Sequence, residues 1–209
     1  MPARNKGRKR AYHHGDLHDA LILAAASLIE EQGNCEFAMI DAARRAGVTS
    51  AAPYRHFRDR QALLDAVLEL LFLGLTEAAA EACRGTRHGS EERIVALGRA
   101  YIRYLSQRPA FYQLMWGAQR EAATPEAQPD TRSTGFQLLL DSVGAWCREN
   151  SVDDPAALEL ATRLWALAHG LMALTMHRHI ERFLPEADVN ALLERSTQAM
   201  LSGLRKAGS

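Results

Sequence analysis

Residues Met39 to Arg60, MIDAARRAGVTSAAPYRHFRDR, parse as a short helix, a glycine turn, a second short helix and the start of a third. Ala42, Ala43 and Ala46 give the first helix a low-volume face that another helix can approach closely. Gly47 stands where a residue in the left-handed conformation ends that helix. The turn that follows is sharp. Thr49 is placed to cap the second helix, and Val48 and Phe57 are the apolar residues that dock it on its neighbours. Ser50, Ala51, Ala52, Tyr54, Arg55 and His56 are left facing outward, small at first and then hydrogen-bonding and basic. Such a face suits insertion into a DNA major groove with phosphate contacts beside it. By spacing alone the stretch also fits an ordinary helical hairpin in a core.

Working outward, residues 1–12 carry five positive charges and no acid, so they do not fold alone. They either lie along phosphates or a minor groove, or form a solvated tail. A first helix is expected from about Asp16 to Gln32, with Asp16 as its cap and Leu17, Ala20, Leu21, Ala24, Leu28 and Ile29 at helical spacing, and with Gly33 ending it. His13, His14 and His18 lie close together, but without a Cys or carboxylate at fixed spacing they make a weak metal signal, and no metal or cofactor is expected. Pro53, at the fourth position of the outward-facing helix, removes a backbone donor and predicts a short or loose start.

Asp59 then caps a long helix to about Cys83, whose Leu63, Leu64, Val67, Leu68, Leu71 and Leu75 point inward. Ser90 caps another over 91–106, and Pro109 separates a short aromatic helix over 110–118. Residues 119–132 contain two prolines and no apolar period and read as a loop. Helices are expected at 133–149, from Asp154-Pro155 to about Arg178, and over about 188–206. The penultimate one is apolar over most of its circumference, which predicts that it is surrounded by its own chain on one side and by a second copy on the other. The seam of that homodimer is expected in the last two helices.

Ala43, Ala46, Gly47, Val48, Thr49, Tyr54, His56, Phe57 and Arg60 keep the register A-x-x-A-G-V-S/T, about four variable residues, then Y-x-H-F and a basic residue. In this the chain resembles the DNA-binding domain of the TetR/AcrR family of transcriptional regulators. Tyr12 to Leu17, Ala51 to Phe57, and Trp165 with His169-Gly170 resemble one branch in particular, whose ligand-binding region is called the WHG domain. The resemblance implies an all-α protein of about nine helices. A homeodomain-like three-helix helix-turn-helix domain (13–60) follows the basic arm (1–12), and a helical effector-binding and dimerisation domain (61–209) completes the chain. It also implies a near-palindromic double-stranded operator and a small-molecule effector, with repression as the usual outcome. The DNA contacts would come from Thr49, Ser50, Ala51, Tyr54, His56, Arg60, Arg45 and Arg10. Ala38 and Ile40 depart from the pattern, since relatives often place there a Ser or Thr that caps and holds a phosphate and an Arg that reaches a base.

Bulk properties set the remaining bounds. The 209 residues suffice for a real core, and no run approaches the ~20 apolar residues of a membrane span, so a cytoplasmic protein without a membrane partner is expected. Three widely spaced cysteines argue against a disulfide framework and a zinc cluster. Net charge is zero, yet residues 1–60 hold ten Lys or Arg against seven acids, which leaves an acidic remainder. Tyr104, Phe111, Trp116, Trp146, Trp165, His169 and Met172 are candidates for effector contact. Each is equally readable as packing, and His169 as a core histidine bonded to a carbonyl. A constitutive DNA-binding or adaptor protein is the nearest alternative. A helical-bundle enzyme is a remote one, because no nucleophile elbow, phosphate loop or metal-spaced carboxylate set is found and His177 and His179 should project from opposite sides of a helix.

Overall fold

Stops and caps written into the sequence set most helix boundaries in the computed structural model, which describes residues 14–116, 134–152 and 155–207. The expectations for the basic arm with Arg10, for the 119–132 loop and for the Asp154 cap lie outside these residues. Among the described residues the secondary structure is wholly helical: α1 (His14–Gln32), α2 (Met39–Arg45), a 3-10 turn (Pro53–Arg55), α3 (Arg60–Ala82), α4 (Glu91–Ser106), α5 (Pro109–Trp116), α6 (Thr134–Glu149), α7 (Pro155–Met176), α8 (His179–Phe183) and α9 (Val189–Ala207). None of these helices is long and apolar enough to cross a membrane. The chain divides into two compact units, one ending at Val67 and the other beginning at Leu68, so the division falls inside α3.

The first unit is built on small and branched apolar side chains. Leu21, Ala25 and Ile29 of α1, Ala42 and Ala43 of α2, Phe57, and Leu63 and Val67 of α3 are all buried. Gly33 and Gly47 adopt φ of +69° and +72°, as required of residues that end a helix in the left-handed region. Three local expectations are corrected. Helix α1 begins at His14, so Asp16 sits within its first turn instead of at the cap. The outward-facing second helix is a single 3-10 turn, because Pro53 has no N–H to continue an α-helical ladder. Its N-cap position falls on Ala52, which has no capping side chain, and not on Thr49.

In the second unit α7 packs against α6, α4 and α9, and α4 also meets α6, α5 and α9. Ile94, Val143, Trp146, Leu160, Ala161, Leu164 and Leu201 form one of its core clusters. Ser90 caps α4 as expected, its hydroxyl accepting from the Arg93 N–H. At Gly74 a methyl group would lie 2.5 Å from the Tyr104 hydroxyl, which itself donates to the Leu71 carbonyl at 3.1 Å, so the missing side chain lets α3 and α4 close up. Helix α7 leaves Leu158, Glu159, Thr162, Arg163, Ala166 and Leu174 exposed as an outward stripe. It also stops at Met176, and Arg178 in the left-handed region (φ 56°) breaks the chain before α8, an element absent from the sequence reading. That break brings the His177 and His179 rings within 6.1 Å, where an unbroken helix would have separated them.

Candidate DNA-reading head and ligand cavity

The turn that follows α2 presents its side chains to solvent. Thr49, Ser50 and Ala51 are exposed, and Tyr54 is 60% exposed at the centre of the 3-10 turn. The protrusion is held by what lies beneath it. Phe57 is buried with its ring stacked on His18 of α1 at 4.8 Å, Pro53 is buried, and the backbone N–H groups of His56 and Phe57 both donate to the Pro53 carbonyl. His56 is half-buried, 6.2 Å from the His18 ring. The outward residues are therefore carried on a rigid base with few bonds of their own.

Two arginines expected on DNA are committed within the unit. Arg60 donates from Nε to the Phe37 carbonyl at 2.8 Å and from Nη2 to the Cys35 carbonyl, and its guanidinium lies 5.2 Å from the Phe37 ring centre. It fastens the start of α3 to the loop between α1 and α2. Arg45 makes a two-pronged pair with Glu31, which holds that carboxyl below its usual range and ties α2 to α1. At the entry to α2, Ala38 supplies no side-chain cap, and only the reverse half of a capping pair exists: the Ala38 N–H donates to Asp41 Oδ2 at 3.0 Å. Ile40 is exposed, an apolar side chain on the surface of the head.

The second unit encloses a cavity of about 600 Å³. Its walls come from α3 (Phe72, Leu75, Thr76), α4 (Leu97, Gly98, Tyr101), the end of α5 (Met115, Trp116), α6 (Phe136, Leu139), α7 (Trp165, Ala168) and α9 (Leu193, Thr197). Among the described residues that line it there is no Asp, Glu, Lys, Arg or His. Aromatic rings crowd one part of it: Trp165 lies 5.7 Å from Trp116 and 6.0 Å from Phe136.

The profile of the tetracyclin repressor-like C-terminal domain matches residues 94–200, just over half of the chain, and that of the tetR-family bacterial regulatory proteins matches residues 21–67. The chain belongs to the TetR family. Solved TetR-like structures share its architecture. A protein of unknown function from Rhodococcus sp. RHA1 is 29% identical, with a TM-score of 0.77 over 94% of this chain and 100% of that one. A possible TetR family transcriptional regulator from Streptomyces coelicolor A3(2) is 21% identical, with a TM-score of 0.61 over 91% and 99%. The SmeT–triclosan complex is 20% identical, with a TM-score of 0.52 over 88% and 90%. No curated protein sequence matches the chain.

Within this TetR-family frame the seven residues expected around an effector separate. Trp116 and Trp165 line the cavity. Trp146, Phe111 and Met172 are buried away from it as packing, because the helix faces that carry them are covered on all sides. Tyr104 is fixed by Leu71 and covered by the Arg108 guanidinium 4.3 Å from its ring. His169 stands behind the wall, bonded to tyrosines and not to a backbone carbonyl. The sequence reading missed Tyr101, which lines the cavity and meets His169 Nδ1 at 3.0 Å. One signal was available: Tyr101 follows Gly98 by three residues on α4, so both lie on one helical face where the glycine leaves room.

Proposed function

We propose that this TetR-family regulator is a repressor that binds a near-palindromic operator as a homodimer and is released by a small apolar or aromatic effector. The reading is carried by the cavity of about 600 Å³, uncharged among its described lining residues, inside the unit that holds the tetracyclin repressor-like match. Its volume and lining are those of small-molecule sites. A structural neighbour of the same architecture, solved as a triclosan complex, lends support.

On the DNA side Thr49, Ser50, Ala51, Tyr54 and His56 are the contacts, with Arg45 and Arg60 acting as braces that hold the head in shape. Helix α3 is the coupling element. Its Leu63, Leu64 and Val67 belong to the core of the first unit, while its Phe72, Leu75 and Thr76 wall the cavity, so a ligand that resets α3 acts on a helix whose residues serve both units. A ligand favouring the released state by ~3 kcal/mol weakens operator binding about a hundredfold. For the dimer, α7 and α9 lie side by side and offer outward Leu158, Ala166, Leu174, Ala199 and Gly203, small or apolar residues suited to close helix packing against a second copy. The test is selection of genomic fragments by the purified protein, followed by ligand displacement of the bound fragment. Enrichment of a two-fold-symmetric sequence is the expected result, and binding without sequence preference would overturn the reading.

A further inference from the structure

Among the described residues the cavity wall offers no charge, and its polar groups are few. Thr76 and Thr162 donate their hydroxyl protons to their own helices, at the Phe72 and Leu158 carbonyls, both at 2.8 Å. A charged ligand against these residues would lose its hydration with no counter-charge to replace it. What remains is the buried Thr197 hydroxyl of α9 and a knot of rings around one phenol. The Tyr101 hydroxyl lies 3.0 Å from His169 Nδ1, and the Tyr112 hydroxyl lies 3.3 Å from His169 Nε2. The His169 ring is further enclosed by Trp116 at 5.0 Å and Trp165 at 5.9 Å, and burial lowers its pKa from the ordinary value, which favours the neutral imidazole.

A neutral imidazole has one N–H and one lone pair, so of the two tyrosines one must donate to it and the other accept from it. A phenol carries one proton and two lone pairs, so whichever way its bond to Nδ1 runs, the Tyr101 oxygen on the cavity wall keeps at least one lone pair for a further donor. The indole rings of Trp116 and Trp165 pack against His169 beside it. A ligand hydroxyl fits this arrangement, because it can donate to that lone pair with no ion on either side.

We infer that the cavity selects an uncharged, mostly apolar molecule bearing one hydroxyl-type group, that Tyr101 reads that group, and that His169 positions Tyr101. The inference rests on the effector-cavity reading above and specifies what that cavity accepts. The test is calorimetric titration of the full-length protein with matched probes on two skeletons, biphenyl and naphthalene, each bearing hydroxyl, methyl, carboxylate or aminomethyl. The hydroxyl probe should bind at least tenfold tighter than the methyl probe, and the carboxylate and protonated aminomethyl probes at least a hundredfold weaker than the hydroxyl probe. Tyr101→Phe should remove the hydroxyl preference while leaving methyl-probe affinity unchanged. Thr197→Val, on another part of the wall, should preserve the preference.

His169→Ala should lose the preference and His169→Asn retain most of it, because the asparagine amide can stand in for Nδ1 as acceptor or donor. If no probe on either skeleton binds, the effector-cavity reading fails, and this inference with it. If the methyl and hydroxyl probes bind equally, if a charged probe binds as tightly as the hydroxyl probe, or if the preference survives Tyr101→Phe, the inference falls while the cavity stands. The comparison of charged and neutral probes on the unsubstituted protein needs no variant to fold.

Discussion

The two units hold their functional side chains by opposite means. Around the candidate DNA-reading turn the fixing contacts are ionic or charge-assisted: Arg45 on Glu31, Arg44 on Asp41, and Arg60 on two backbone carbonyls. Around the cavity they are neutral: two phenols bonded to one imidazole, with two indole rings packed against it. The difference follows solvent. Where water still reaches, a charged group keeps part of its hydration while it braces a loop, whereas inside an apolar wall an uncompensated ion would cost several kcal/mol and a neutral network costs little.

The contrast is tested most severely at Arg60, the most enclosed of these arginines. Arg60→Met keeps a long side chain but abandons the Cys35 and Phe37 carbonyls, so the first unit should lose about 2–4 kcal/mol, read as a lowered urea midpoint. Arg60→Lys should recover only part, since one ammonium lacks the fork that reaches both acceptors. In the second unit steric fit should carry comparable weight. Gly74→Ala drives a methyl into the Tyr104 hydroxyl and should cost about 1–3 kcal/mol. Much of that loss should be restored by adding Tyr104→Phe, which a thermal melt of the double variant would read.

Tyr54→Ala sharpens the comparison from the exposed side. Operator affinity should fall at least tenfold in a mobility-shift titration, while the melting transition moves little, as for other surface substitutions. The smallest expected effect is a pH dependence. Burial lowers the pKa of His169, so below the ordinary histidine value of 6.5 the unfolded chain takes a proton that the folded chain refuses. The contribution is absent at alkaline pH and becomes a loss of stability as pH falls through 6.5. Relative to His169→Asn, the unsubstituted protein should therefore lose stability between pH 8 and pH 5.5, and an unchanged difference between them would show that the imidazole is not held neutral.

Much of this arrangement was legible in the residues. Gly33, Gly47 and Ser90 act locally, through backbone conformation or a single capping bond, and local signals survive translation into structure. The family pattern around Tyr54 was legible for the same reason, whereas the finer branch rests on the resemblance of Tyr12 to Leu17, Ala51 to Phe57, and Trp165 with His169-Gly170. What misled was periodicity in the second unit. An apolar helical face shows which residues turn away from water but not whether they meet another side chain or a cavity, so Trp146 and Met172 looked like Trp165 until the surrounding helices were in place. Arg60 shows a second limit of local reading. A basic residue at the right register reads as a phosphate contact, and the carbonyls of Cys35 and Phe37 that it also braces lie more than twenty residues earlier, beyond any local window.

The single turn at Pro53–Arg55 carries a last implication. Ser50, Ala51 and Ala52 are shaped by the glycine before them and the buried Pro53 and Phe57 after them, with the Ala52 N–H closing onto the Thr49 carbonyl through main chain alone. The exposed side chains of Ser50 and Ala51 are thus interchangeable as far as folding is concerned, and a library randomised at these positions, with small non-proline residues at 52, should yield folded proteins throughout. Retargeting such a protein to a new operator then becomes a question of replaceable teeth on a fixed key.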